Sequence, residues 1–213
     1  MKVHIQRKKI RHAYLRVKDD KSVDLTIPEN YNDKMIQSIL EDKQTWILEK
    51  QKAFKKKQTV HQSFLNRDKI YFLGESYDYE ELHTMMQCQS FSSWQKAYDY
   101  LLYQKAPTYI TELVEELCQK FDLPLPKVQF RKMKRRWGTC YPRQNKIILN
   151  RQLIFLPPKA IELVIMHEIN HFKYPHHQKS FYDALEKWIP DHKERSQLLS
   201  DFALILNASE ELR

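Results

Sequence analysis

His167-Glu168-Ile169-Asn170-His171 is the stretch that decides how this chain is read. On a helix, side chains four residues apart stand one above the other, so both imidazoles of this run face the same way and can reach a single ion. Glu168 projects about 100° around the helix from His167, beside such an ion and not onto it, where a base can take a proton from water. Ile161, Leu163, Val164, Ile165, Met166, Ile169 and Phe172 surround the run on nearly every side, which places it in a protein interior. A carboxylate and two imidazoles are costly there unless they are paired or hold a metal. Core histidines satisfied by hydrogen bonds are the plainer alternative, but they leave the spacing unexplained.

The surrounding prolines bound the helix. Pro157-Pro158 supplies its start, since proline is tolerated in the first turn, where its missing N–H would have no partner. Pro175 supplies the stop, because the residue before a proline is biased away from helical geometry, and the chain should turn near Tyr174. That turn can carry His176 or His177 back toward the ion. A third imidazole would leave one tetrahedral position open, as in a catalytic site and unlike a closed structural one. Glu186 and Glu194 are the carboxylates available farther along. Glu186 lies in a segment whose Phe181, Leu185, Trp188 and Ile189 mark the buried side, which leaves Glu186 itself facing solvent or hydrogen-bonded to the groups that orient the ligands. Histidine nitrogens suit zinc better than magnesium or calcium, so the expected cofactor is one Zn2+ per chain.

Outside the helix, the run Arg131-Lys132-Met133-Lys134-Arg135-Arg136-Trp137-Gly138-Thr139-Cys140, then Ile148-Leu149-Asn150, Pro157-Pro158, the H-E-x-x-H run, and His177 with Phe181 four residues on resemble the YgjP-like metallopeptidase family. Its pattern reads approximately K-S-R-W-G-S-C, L-N, P-P, H-E-L-x-H-L and N-H-S-x-x-F-W, and the match is specific from about residue 127 to 195. The resemblance implies a zincin, similar to the WLM and SprT-type peptidases, with zinc held by His167, His171 and His177 and with Glu168 as the catalytic base. Four positions depart from the pattern. Thr139 and Gln178 each replace a serine, His176 occupies the usual asparagine position, and Asn170 replaces a small apolar residue and needs a partner if buried.

Three further residues bear on the cleft. The chain has only two glycines, and one of them, Gly138, directly follows Trp137. That suggests a position admitting no side chain, where a bulge or a substrate backbone comes close or where the Trp ring packs. Cys140 reads as a small packing residue rather than a ligand. Trp137, Gly138, Thr139 and Asn150 are the residues expected along a substrate cleft. An edge strand there, either Trp137–Tyr141 or Lys146–Asn150, would hold an extended peptide by main-chain hydrogen bonds. His176, Tyr174 and Tyr182 are the nearby candidates for polarising a carbonyl.

Composition suits an intracellular enzyme. The 213 residues are 42% hydrophobic, enough for one good core or two small ones. No stretch is apolar enough to span a membrane, and the start is charged without a following apolar run, unlike a secretory signal. The cysteines Cys88, Cys118 and Cys140 are odd in number and scattered, which argues against a disulfide framework and fits a reducing cytoplasm. Net charge is +9, with basic clusters at Arg7–Arg11, Lys52–Lys57 and Arg131–Arg136. These keep the protein soluble and can steer substrates, a peptide or protein first of all, with weak nonspecific nucleic-acid binding as a secondary expectation. The competing function is a nucleic-acid-associated protein whose zinc is structural or catalytically silent.

The pattern of elements predicts an α+β, zincin-like fold: a small twisted sheet packed on the H-E-x-x-H helix, with a β-rich N-terminal part. Strands are expected at 9–18 and 22–27, joined at Asp19-Asp20-Lys21 and ended by Pro28, then one long helix over about 32–55 and a hairpin around Gly74-Glu75 that includes Tyr77 and Tyr79. A helical pattern from Trp94 to Phe121, interrupted at Pro107, leads to a strand near Val128–Met133. This strand pairs with Lys146–Asn150. Helices at 178–188 and 191–206, broken by Pro190, close the chain. The domains expected are 1–91, β-rich with one long helix, and 92–213, the zincin-like metallopeptidase domain.

Overall fold

The computed structural model describes residues 2–18, 22–67, 69–87 and 90–203. The expected turn Asp19-Asp20-Lys21, Cys88, the side chains of Lys56 and Lys57 and the end of the last expected helix lie outside the described residues. The chain mixes helices with small sheets, as an α+β fold requires. It forms two compact units, Met1–Thr59 and Val60–Arg213.

In the first unit, β1 (Val3–Lys8), β2 (Tyr14–Val17) and β3 (Val23–Pro28) form one sheet in the order β1-β3-β2. β3 is central, parallel to β1 and antiparallel to β2, and its Val23, Leu25 and Ile27 are fully buried. β1 was not expected. Its residues are mostly exposed, so it carries no run of buried apolar positions for a sequence pattern to detect. The single long helix expected over 32–55 is two helices, α1 (Asp33–Asp42) and α2 (Gln44–Leu65), separated at Lys43, whose ψ of 4° ends the first. α1 begins on Asn32, whose side chain accepts the Met35 N–H at 2.9 Å.

The second unit opens on the hairpin β4 (Ile70–Phe72) and β5 (Glu75–Tyr77). Leu73 and Gly74 turn it with φ of 49° and 89°, and positive values at both central residues suit a tight two-residue turn. The Leu73 and Gly74 N–H groups donate to Ile154 and Phe155 carbonyls at 2.9 and 3.2 Å. A Cβ on Gly74 would lie 2.7 Å from Pro157 Cγ, so the hairpin tip closes against the segment that leads into the histidine helix. The hairpin expected in an N-terminal domain ending at 91 thus belongs to the second unit, and the division falls inside α2 instead. Tyr79, expected in the hairpin, starts α3 (Tyr79–Met86).

Helices α4 (Trp94–Tyr100) and α5 (Ala106–Lys120) are joined through a π-helical turn over Leu101–Lys105. The interruption expected at Pro107 takes this form: proline has no N–H to continue the ladder, and the wider turn just before it accommodates the gap. Phe64, Trp94, Tyr98 and Phe155 meet in edge and stacked contacts with centroids 4.9–5.8 Å apart and anchor the core. The third sheet has the order β6-β8-β7, from β6 (Lys127–Arg131), β7 (Gly138–Tyr141) and β8 (Lys146–Asn150). β8 is central, parallel to β6 and antiparallel to β7, and Ile147 to Asn150 are buried. Then follow α6 (Pro158–Asn170), α7 (Lys179–Trp188) and α8 (His192–Asp201), the last two broken at Pro190 as expected. No described helix is long and apolar enough to cross a membrane.

Candidate metal centre

α6 is buried almost all round, from Ala160 through Asn170, and Pro158 stands in its first turn. The helix ends at the second histidine, with His171 as its cap. Beyond it the Phe172 and Tyr174 N–H groups donate to the Ile169 and Asn170 carbonyls at 3.1 and 2.9 Å, which folds the chain back before Pro175. This reversal brings His177 to the helix. His167, His171 and His177 each offer a ring nitrogen, and these atoms lie within 4.8 Å of one another. The Nε2 atoms of His167 and His177 are 3.0 Å apart. Nitrogens bound to one tetrahedral zinc at about 2.0–2.1 Å stand roughly 3.3 Å apart, so this donor set fits such an ion.

Phe181 backs the cluster, with its ring 4.8 Å from His167 and His171 and 4.9 Å from His177. Burial pushes the His167 imidazole down to about 4, helped by His171 and His177, and it lowers His171 as well. Neutral imidazoles with free lone pairs are what a metal needs. His171 Nδ1 lies 3.0 Å from the Tyr174 carbonyl oxygen; as a donor there, it leaves Nε2 to face the cluster. Tyr174 thus meets His171 through its backbone carbonyl, and it is not among the residues that line the cleft. Asn170 is fully buried and its Nδ2 donates to the Phe181 carbonyl at 2.8 Å, tying α6 to α7. Its Oδ1 is buried without a hydrogen-bond partner among the described residues.

Neither His176 nor Glu186 joins the cluster. The His176 side chain is exposed and its carbonyl accepts the Gln178 N–H at 2.8 Å, while Glu186 and Glu194 are exposed on α7 and α8. Tyr182 is 44% exposed with its ring 6.4 Å from that of His177.

Glu168 is 7% exposed, and burial pushes its carboxyl up to about 7, against the opposing pull of Arg136 and of the Cys140 N–H that donates to it. Gly138 makes room for it. A Cβ there would stand 2.6 Å from both Cγ and Oε1 of Glu168, so the second of the expected reasons for this glycine, packing on the Trp ring, gives way to the carboxylate itself. Cys140 lines the same cleft with its thiol pushed up to about 12 by burial and by Glu168, and it is not among the three converging donors.

The cleft has a volume of about 540 Å³. Gly138, Thr139 and Cys140 line one side, Glu168 and the three imidazoles the other, with Arg136 at its margin. Arg136 was legible only as one of a basic cluster, yet it alone of that cluster lines the cleft. Of the two expected edge strands, β7 is at the edge and β8 is interior. Asn150 is corrected. It is fully buried, with Nδ2 donating to the Met133 and Arg136 carbonyls at 2.8 and 3.0 Å and Oδ1 accepting the Gln152 N–H at 3.2 Å, so it braces the loop before β7 and is not among the residues that line the cleft. Asn150→Ala would orphan both carbonyls and should cost about 1–3 kcal/mol in urea unfolding. A variant as stable as the parent would show that water replaces the amide.

The site is thus a three-histidine, one-carboxylate centre set in a mixed α and β unit, the arrangement of a protein that can hold a metal ion. The model of the YgjP-like, metallopeptidase domain family matches residues 11–202, and the chain belongs to that family. The match extends across both compact units. Comparison with curated proteins gives no match.

Proposed function

We propose that the chain is a zinc-dependent peptidase in which His167, His171 and His177 hold the ion and Glu168 is the general base. The observation that carries this reading is the convergence of three imidazole nitrogens beside a buried carboxylate in one cleft. Zinc, when bound, supplies Lewis-acid chemistry that acidifies water and polarises a peptide carbonyl. Glu168 takes a proton from the attacking water and delivers it to the departing amine, work suited to a carboxyl whose ordinary range has been raised by burial. The Cys140 N–H and the space left at Gly138 keep its carboxylate in place. β7, as the edge strand, offers main-chain groups to an extended peptide, in keeping with a zincin-like cleft. A cytoplasmic location is part of this proposal.

The alternative, a nucleic-acid-associated protein with a structural zinc, has less support. A structural site closes its fourth position with a protein ligand, whereas this cluster borders an open cleft, and no fourth His, Cys or carboxylate joins it among the described residues. The purified protein should carry or take up about one zinc per chain by elemental analysis, and a peptide-library digest should yield cleavage that a chelator stops. Failure to bind zinc at neutral pH would end this reading.

Gly138→Ala tests the fit of the carboxylate. A methyl group at 2.6 Å must displace Glu168 or the strand, so turnover should fall at least about 100-fold while zinc content is unchanged. Unaltered turnover would mean that the carboxylate needs no such room.

A further inference from the structure

We propose that the cavity beside Glu168 toward α7 and α8 is a subsite for one large aromatic side chain of the substrate, next to the bond that is cut. The proposal rests on the peptidase reading and names its substrate class. The cavity, of about 310 Å³, shares Gly138, His167 and Glu168 with the main cleft, so a peptide lying along β7 passes its mouth. Leu163 and Val164 stand four and three residues before His167, which places them one turn back on the histidine's own face, and each is 5% exposed. Leu185 from α7, Leu199 from α8 and Trp137 add to a mostly apolar lining, which Tyr182, His192 and Ser196 complete. At about 30 Å³ per water, the space equals roughly ten waters, ample for a phenylalanine or tyrosine side chain.

The lining also says what does not enter. Apart from Glu168 it contains no Lys, Arg, Asp or Glu, so a charged side chain would lose its hydration without gaining a counter-ion. One polar side chain favours tyrosine. His192 lines the cavity, is 8% exposed and stacks near-parallel to Tyr182, with ring centroids 6.3 Å apart. A phenol in the cavity can exchange a hydrogen bond with this imidazole, which a phenyl ring cannot. The wall is held in place before substrate arrives: Arg195 on α8 reaches Glu162 on α6 at 2.5 Å and Asp191 at 2.7 Å.

Binding of N-acetyl amino-acid amides, followed by NMR chemical shifts on zinc-free and zinc-loaded protein, tests this without requiring turnover. The tyrosine and phenylalanine amides should bind at least about tenfold tighter than the glycine and aspartate amides and shift the Gly138, Leu163 and Leu199 signals. Ser196→Trp, which fills the cavity from its exposed rim, and Leu199→Glu, which places a carboxylate in it, should each abolish that preference. His192→Phe should remove the advantage of tyrosine over phenylalanine and leave phenylalanine bound. Equal binding of all four amides, shifts at another surface, or a preference that survives both α8 variants would overturn the proposal. Zinc content, measured on the same samples, separates the two readings: aromatic preference without zinc uptake fails the peptidase alone, and zinc uptake without preference fails the subsite alone.

Discussion

Glu168→Gln should abolish hydrolysis while leaving metal content unchanged. The amide has the shape of the carboxylate and its oxygen can still accept the Cys140 N–H, so the side chain should stay in the space beside Gly138. What it loses is the ability to accept a proton. General-base assistance is worth about 100- to 10,000-fold, so turnover on any peptide found in the library digest should fall at least about 100-fold. Elemental analysis of the same preparation should return the wild-type zinc value, because Glu168 is not among the three converging donors. A variant that cuts at the parental rate would remove Glu168 from the chemistry.

Removing any one of the three imidazoles should produce the second large effect. His167→Ala, His171→Ala and His177→Ala should each weaken zinc binding by more than about 100-fold, measured by competition with a chelator, since two remaining nitrogens make an incomplete tetrahedral site. His176→Ala and Glu186→Gln should leave zinc affinity alone, because both side chains are exposed and outside the cluster. The contrast between His176 and His177 is the sharpest part of this prediction. These neighbours are chemically identical, and only the path of the chain after Tyr174 separates them. If His176→Ala lost the metal and His177→Ala kept it, the assignment of the third ligand would be reversed.

That pair also marks where the sequence stops being informative. The spacing of His167, Glu168 and His171 follows from helical periodicity, and the prolines at 157, 158 and 175 bound the helix by local backbone sterics; both are properties of short segments and were legible. The buried strand β8 and the breaks at Pro107 and Pro190 were legible for the same reason. β1 was missed because its apolar alternation is only Val3 and Ile5 before the chain turns polar, and the split of the expected long helix at Lys43 leaves no proline or glycine to announce it. The hairpin's membership of the second unit depends on two hydrogen bonds to residues about eighty positions away, which no local pattern encodes.

The residues around the carboxylate show the division most clearly. The sequence by itself determined that this chain presents two imidazoles on one helix face with a carboxylate beside them, and its motifs placed it in a metallopeptidase family. Only the tertiary structure decided that Gly138 is small for the sake of Glu168, that Asn150 braces a loop instead of lining the cleft, and that Arg136 is the member of its basic cluster that reaches the site. The physical reason is that periodicity fixes which side chains share a face of one element. Which groups meet across β7 and α6 depends on how separate elements pack, and that is set by the whole buried core.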